Sequence, residues 1–297
     1  MLITYLILTY NRKHDLDRCL KSIQEQRYSE IEVIVVDNNS TDGTDQFIDA
    51  FYPSVHYIYV DYNSGVCEGR NIGFRQATGD VIIVLDDDSE VNDPNFTDSI
   101  VKQFISNNSM GLLSFKVTNP LIPDTRRVIP STDKSIINSM QPVEVAYFLG
   151  GGVAIRKKVL DETGLYPSQY FYSMEELDLA YRVMKTQWKI FYFPKIEVLH
   201  HESQNQRPSW RRFYFDCRNR VWLTVTYLPL KYLLINNSVW FFKMLLQAVK
   251  YRHTKHFFRG FCDGIKGLPF FLKRRKNSLL TKEEVKRIRL LHGRLYY

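Results

Sequence analysis

Three consecutive aspartates, Asp86, Asp87 and Asp88, follow directly on five apolar, mostly β-branched residues, 81–85. An unbroken apolar run of this length reads as a strand buried on both faces. Adjacent carboxylates repel one another, so an acidic triplet at the end of such a strand calls for a cation. Open α/β sheets gather ligands at the carboxyl ends of their strands. The guest that suits oxygen ligands there is a hard divalent cation, Mg²⁺ or Mn²⁺, with positions left open for phosphate oxygens. The competing reading is a solvated acidic turn. A second acidic group, Glu175, Glu176 and Asp178, falls in the first turn of a helix predicted over residues 174–186. Acids there also complement the helix dipole, which accounts for one or two of them without chemistry.

The elements that would position these groups alternate. Strands are expected over residues 2–8, 31–36, 55–60 and 81–85. Helices between them carry apolar residues at helical spacing, such as Leu16, Cys19, Leu20 and Ile23. Ser40 or Thr41 could cap the second helix, and Asp93-Pro94 reads as an N-cap with proline at the first helical position. This alternation predicts an α/β, doubly wound, mostly parallel sheet. Three strands end in Thr9-Tyr10-Asn11, Asp37-Asn38-Asn39 and Asp86-Asp87-Asp88, so the polar ends should share one cleft. A dinucleotide fold loses its main support, because no GxGxxG follows the first strand. Further strands are expected at 110–115 and 188–193, with residues 195–201 leading to adjacent histidines. Residues 120–139 carry three prolines and few core positions, and predict a mobile loop.

At 297 residues, 44% hydrophobic and 24% charged, the composition is that of a folded soluble chain. Four scattered cysteines form no disulfide or zinc pattern, which suits a reducing cytosol. The N-terminus does not read as a signal peptide. Charge is uneven. From Lys243 onward there are fifteen Lys/Arg against three Asp/Glu, a net of +12, which leaves −4 for the first 242 residues of a chain whose total is +8. Beyond residue 207, aromatic residues interleave with Arg211, Arg212, Arg218 and Arg220, and Lys273-Arg274-Arg275-Lys276 follows later. No uncharged run reaches the roughly 18 residues that a bilayer span needs. The region suits a segment lying on an anionic membrane surface, or else a helical cap with a solvated basic tail. Nucleic-acid binding is not expected, since no recognised motif accompanies the charge.

Taken in order, several motifs resemble family 2 glycosyltransferases of the GT-A fold. They are Thr9-Tyr10-Asn11-Arg12; residues 35–44 around Asp37 and Asn39; Asn63-Ser64-Gly65 with Gly69-Arg70-Asn71; Ala77-Thr78-Gly79-Asp80; Leu85-Asp86-Asp87-Asp88; Gly150-Gly151-Gly152; Glu175-Glu176-Leu177-Asp178 with Arg182; and Val198-Leu199-His200. The likeness covers roughly residues 2–219 and is nearest to the rhamnosyltransferase-type bacterial branch that builds cell-surface polysaccharides. It implies a GT-A catalytic domain over 1–207, with a nucleotide-sugar half (1–115) and an acceptor half (116–207). A helical, basic C-terminal region would span 208–297.

The resemblance also implies inverting transfer from a UDP- or dTDP-sugar to a lipid-linked or nascent surface glycan, such as a polyprenyl-diphosphate-linked acceptor. The setting would be cytoplasmic, peripheral on the inner face of the plasma membrane. Thr9, Tyr10, Asn11, Arg12, Asp37, Asn39, Asn63, Arg70, Asp86 and Asp87 would face the donor, and Asp88 and His200 the metal. Gly150, Gly151 and Gly152 would face the acceptor. His200 fits an imidazole–carboxylate metal site, with His201 as a neighbour. The family usually shows Glu-Asp-x-Asp where this chain has Glu175-Glu176-Leu177-Asp178, so the base falls on Glu176, with Asp178 and then Glu175 as alternatives. Two other readings stand beside this one: a non-catalytic sugar-nucleotide or glycan binding module of the same fold, and nucleotidyl transfer. Oligomeric state is left open.

Overall fold

The computed structural model describes residues 1–121, 129–202 and 208–295. Its frame is a nine-stranded mixed sheet. Four parallel strands, β1 (Ile3–Thr9), β2 (Ile31–Asp37), β3 (His56–Tyr59) and β4 (Val81–Asp86), form one side in the order β3-β2-β1-β4. The other side continues through β8 (Gly152–Arg156), β6 (Met110–Thr118), β9 (Lys189–His200) and β5 (Ser89–Glu90), with β7 (Val143–Val145) also on β9. β8 runs antiparallel to β4 and β6, while β6 and β9 run parallel.

The side chains of β4 divide as a strand buried on both faces requires. Ile82 and Val84 enter one core, and Val81, Ile83 and Leu85 the other. The second core is covered by α1 (Lys13–Gln24), α2 (Thr44–Phe51) and α4 (Phe96–Ser106). The first lies under α3 (Gly65–Gln76), α5 (Lys157–Thr163), α6 (Glu175–Val183) and part of the C-terminal helices. Those are α7 (Trp210–Tyr227), α8 (Leu230–Lys250), α9 (Thr254–Ser278) and α10 (Lys282–Leu290). α7 to α9 enclose a further small core around Phe213, Cys217, Trp240, Met244 and Phe257. Among the described residues, no helix is long and apolar enough to cross a membrane.

Several local expectations are corrected. Neither Ser40 nor Thr41 caps α2. Gly43 takes the N-cap at φ +79°, while the Ser40 hydroxyl accepts from Asn11 N–H and the Thr41 N–H donates to the Asn11 side chain. α4 starts after Asn95, because Asp93 is spent on a turn in which its carboxylate accepts from Asn95 N–H. The two pieces expected near 188–193 and 195–201 are one strand. Its register against β6 jumps from Phe115↔Phe193 to Lys116↔Glu197, which leaves Pro194 in the irregularity, where no ladder donor is needed. Of the stretch expected to be a mobile loop, 122–128 lie outside the described residues. The rest buries Ile129 and Ile136, and Lys134–Asn138 forms a 3-10 turn.

Candidate active site

Register aligns the polar strand ends. Thr9 pairs with Asp37, and Leu8 with Asp86, so β1, β2 and β4 stop at one level. Beyond them opens a cavity of about 370 Å³. Thr9, Tyr10, Arg12, Asn63, Arg70, Asp86, Asp87, Gly150, Gly151, Glu175, Glu176 and His200 all line it, as the sequence led us to expect.

The aspartates are not equivalent. Asp87 turns under the cleft, where it accepts from the Thr9 hydroxyl (3.0 Å) and Arg12 Nη1 (2.8 Å). Burial pushes its carboxyl up to about 6, against the pull of Arg12. Arg12, expected beside base and ribose, is thus an internal counter-charge to the triplet. Asp88 is fully buried and lies 3.0 Å from His200 Nε2; Asp86 Oδ2 lies 3.4 Å from the same nitrogen. The ligand atoms of Asp86, Asp88 and His200 all fall within 4.8 Å of one another. His200 arrives through backbone pairing. The two-residue strand β5 lays Ser89 opposite His200, and His201 N–H donates to the Asp88 carbonyl. His201 itself is turned to Glu90 (2.7 Å), the neighbour role expected of it.

Opposite this cluster stands the start of α6. Arg70, on α3 and 4% exposed, joins the two walls. Its Nη2 donates to Asp86 Oδ1 (2.7 Å) and to the Gly150 carbonyl (3.2 Å). Its Nη1 lies 3.9 Å from Glu175 and 4.0 Å from Glu176. Side-chain exposure separates the two glutamates, at 3% for Glu175 and 26% for Glu176. Glu176 rests against the turn before β8. A methyl group on Gly150 would meet Glu176 Oε1 at 1.9 Å, and one on Gly151 would approach Asp86 Oδ2 to 3.2 Å.

Burial and the adjacent Glu176 push the Glu175 carboxyl up to about 8, with Arg70 opposing. The native state therefore holds a proton that the unfolded chain releases above the ordinary glutamate range. Stability contributed by this group is present at low pH and falls as pH rises toward 8. Glu175→Gln removes that decline. Urea unfolding at intervals from pH 5 to 8 measures it, and parallel slopes for variant and parent would refute the assignment.

Some expected residues lie elsewhere. Asp178 is 1% exposed and turned away from the cavity; it pairs with Arg182 Nε (2.9 Å) and accepts from Tyr227 OH (3.0 Å). Its acid is consumed in holding α6 to α7. Asp37 accepts from Ser40 N–H and Tyr57 OH. Asn11 and Asn39 are both at positive φ; Asn11 ties the end of β1 to Ser40 and Thr41 after β2, and Asn39 accepts from Tyr59 OH on β3. Gly152 is a strand residue opposite Leu85. None of these five lines the cavity.

Other residues were missed. Asn38 lines the cavity and ties β2 to α3, accepting from Ser64 N–H and donating to the Gly65 carbonyl. Arg211, on α7, reaches the cavity from the C-terminal region, and Phe171, Tyr172 and Ser173 line it from the loop before α6. Phe171, Ser173 and Met174 all have positive φ, a conformation that needs external support. One support is Gly65, itself at φ +78°, where any Cβ would fall 2.5 Å from the Phe171 carbonyl. That carbonyl accepts from Val66 and Cys67 N–H. The other is Asn219, fully buried on α7, whose amide donates to the carbonyls of Tyr170, Tyr172 and Ser173. No periodicity marks Asn219; a lone asparagine within an aromatic helical run is the only trace. Asn219→Ala strands buried acceptors and is expected to cost about 1–3 kcal/mol. Chemical denaturation reads the loss, and a cost under about 0.5 kcal/mol would show the loop is held by other contacts.

The mixed, mostly parallel sheet flanked by helices matches the structures of GT-A glycosyltransferases. Residues 4–164 match the family described as glycosyl transferase family 2. The chain belongs to that family and is a glycosyltransferase. A protein of Haemophilus influenzae with no assigned role is 30% identical over 176 residues, 56% of this chain and 93% of its own length. The N-acetylglucosaminyl-diphospho-decaprenol L-rhamnosyltransferase of Mycobacterium tuberculosis is 24% identical over 233 residues, 67% of this chain and 75% of its own. Among solved structures, the mannosyltransferase PcManGT from Pyrobaculum calidifontis in complex with GDP-Man and Mn²⁺ superposes with a TM-score of 0.58. That match covers 97% of this chain and 78% of the other at 15% identity, a likeness of fold.

Proposed function

We propose that this chain is an inverting glycosyltransferase that moves a sugar from a nucleotide-diphosphate sugar to a hydroxyl of a lipid-linked or nascent surface glycan, with Glu176 as the base. The observation that carries this reading is the single cavity. It sets Asp86 and His200 on one wall, with Asp88 buried beside them, and the accessible carboxylate of Glu176 on the other, with Gly150 and Gly151 between them. Two carboxylates and one imidazole within 4.8 Å suit a divalent ion such as Mn²⁺ or Mg²⁺. Bound there, the ion would offset the charge that gathers on the departing diphosphate.

The chain's own residues do the rest. Arg70 holds Asp86 by one oxygen, and Thr9 and Arg12 hold Asp87 below the cleft. Thr9 and Tyr10 lie where base and ribose would rest. Glu176 accepts the proton of the acceptor hydroxyl as its oxygen attacks the face opposite the departing phosphate, which inverts the anomeric centre. Similarity to a rhamnosyltransferase named for a diphospho-decaprenol acceptor supports a lipid-linked acceptor. Likeness to a structure holding GDP-Man and Mn²⁺ supports a sugar nucleotide and a metal. The family resemblance favours UDP or dTDP.

Thermal denaturation with UDP-, dTDP- and GDP-sugars, with and without Mn²⁺, tests the donor and metal together. A ligand at about a hundred times its Kd stabilises by about 2.7 kcal/mol, so the cognate donor should raise Tm by several degrees. The rise should need Mn²⁺ and vanish in Asp88→Asn. Equal shifts without metal would remove the ion from the mechanism, and no shift with any sugar nucleotide would remove the donor assignment.

A further inference from the structure

The helix α8 has two apolar sides. Asn236, Trp240, Met244 and Ala248, at intervals of four, pack inward. On the outer side, Leu230, Leu234, Val239, Phe242, Leu246 and Val249 are between 45% and 72% exposed. From Val239 to Val249 the steps of three and four residues draw one stripe along the helix, roughly 15 Å long at 1.5 Å per residue, and Leu230 and Leu234 extend the exposed apolar surface toward its start. A stripe of this length on a monomer marks a surface meant for contact.

The surroundings say with what. Lys231, Lys243 and Lys250 lie on exposed positions of the same helix, and α8 carries no acidic residue. α9, packed beside it, repeats the arrangement with one acid, Asp263, which faces Arg259 and Lys266. Phe258, Ile265 and Leu272 are exposed there, with Lys255, Arg259, Lys266, Lys273 and Lys276 at neighbouring exposed positions. Apolar side chains flanked by cations match an interface whose interior is hydrocarbon and whose surface is anionic. A second copy of this chain would offer the same cations and repel them.

The inner end of α8 leads toward the chemistry. Gln247, Lys250 and Tyr251 line a pocket of about 580 Å³ with Arg211, Arg212 and Tyr172, and among the described residues no carboxylate lines it. Arg211 and Tyr172 also line the donor cavity. We propose that the exposed faces of α8 and α9 dock this enzyme on an anionic phospholipid membrane, with the pocket between α7 and α8 at the level of the lipid phosphates. A lipid-linked acceptor would then reach Glu176 without leaving the interface. That last step rests on the function proposed above, whereas the docking does not.

Vesicle flotation with the full chain tests the docking without donor, metal or turnover. Binding to vesicles containing phosphatidylglycerol is expected, with little to phosphatidylcholine alone. The triple variant Leu234→Asp, Phe242→Asp and Leu246→Asp should lose it. Those side chains are exposed, so circular dichroism melting should match the parent. Lys273→Glu with Lys276→Glu should weaken binding roughly tenfold or more. Arg212→Glu with Lys250→Glu should lower the preference for the anionic lipid. Equal flotation of parent and triple variant overturns the proposal. So does a failure of the parent to float, or a concentration-dependent dimer that the triple variant abolishes without any vesicle binding in the parent.

Discussion

Replacing Glu176 by Gln is expected to lower sugar transfer about 10²–10⁴-fold, the range that general-base catalysis supplies, while donor binding stays near that of the parent. The substitution keeps shape and removes only the ability to take a proton. Three facts single out Glu176 from its acidic neighbours. It is accessible where Glu175 is not; it lines the cavity where Asp178 does not; and it leans on the turn at Gly150, next to Asp86. Burial raises its pKa, and Arg70 opposes the rise. A raised pKa makes it a stronger base and shifts the rising limb of the pH–rate profile upward from the ordinary carboxylate range. Release of nucleotide diphosphate, measured with and without acceptor, follows the reaction. An unchanged rate in Glu176→Gln would take this residue out of the mechanism.

The second large effect is structural. Arg70→Met is expected to destabilise the fold by about 3–5 kcal/mol, the usual cost of stranding buried charges by removing one partner. Arg70 faces Asp86, Glu175 and Glu176 at once and so spans both walls of the cleft. Arg70→Lys should recover little, since a single ammonium cannot reproduce the fork that bonds Asp86 and the Gly150 carbonyl together. A double variant with Asp86→Asn should lose less than the sum of the two single changes, because the second removes the charge that the first strands. Urea unfolding at neutral pH measures each. Additive losses would mean that the two residues do not interact.

Much of this was legible from residues 1–121. Runs of β-branched residues identified the strands, and their polar ends named the cleft, because a parallel sheet brings all carboxyl ends to one edge. His200 could be suspected but not placed, since its position depends on the pairing of β5, a strand of two residues with no periodicity to detect. Asp178 reads the same as Glu176 in sequence. Only the direction of the helix, with Tyr227 and Arg182 behind it, separates the inward acid from the cavity-facing one. The structural use of Asn11 and Asn39 was invisible for a related reason: polar residues at strand ends serve turns as readily as ligands. Support of residues 170–173 by Asn219 links positions some fifty residues apart through side chain and carbonyls, which no local pattern encodes.

The β5–β9 pairing also bears on the order in which the site comes into being. Asp86 and Asp88 emerge early in synthesis, whereas His200 follows more than a hundred residues later and reaches them only when two ladder rungs close. A nascent chain that ends before β9 holds two of the three ligands and lacks the element that brings in the third. So short a ladder has little cooperativity of its own. Any ion held by the three ligands therefore favours the closed rungs by mass action, and occupancy of the cluster reports that the far edge of the sheet has been sewn on.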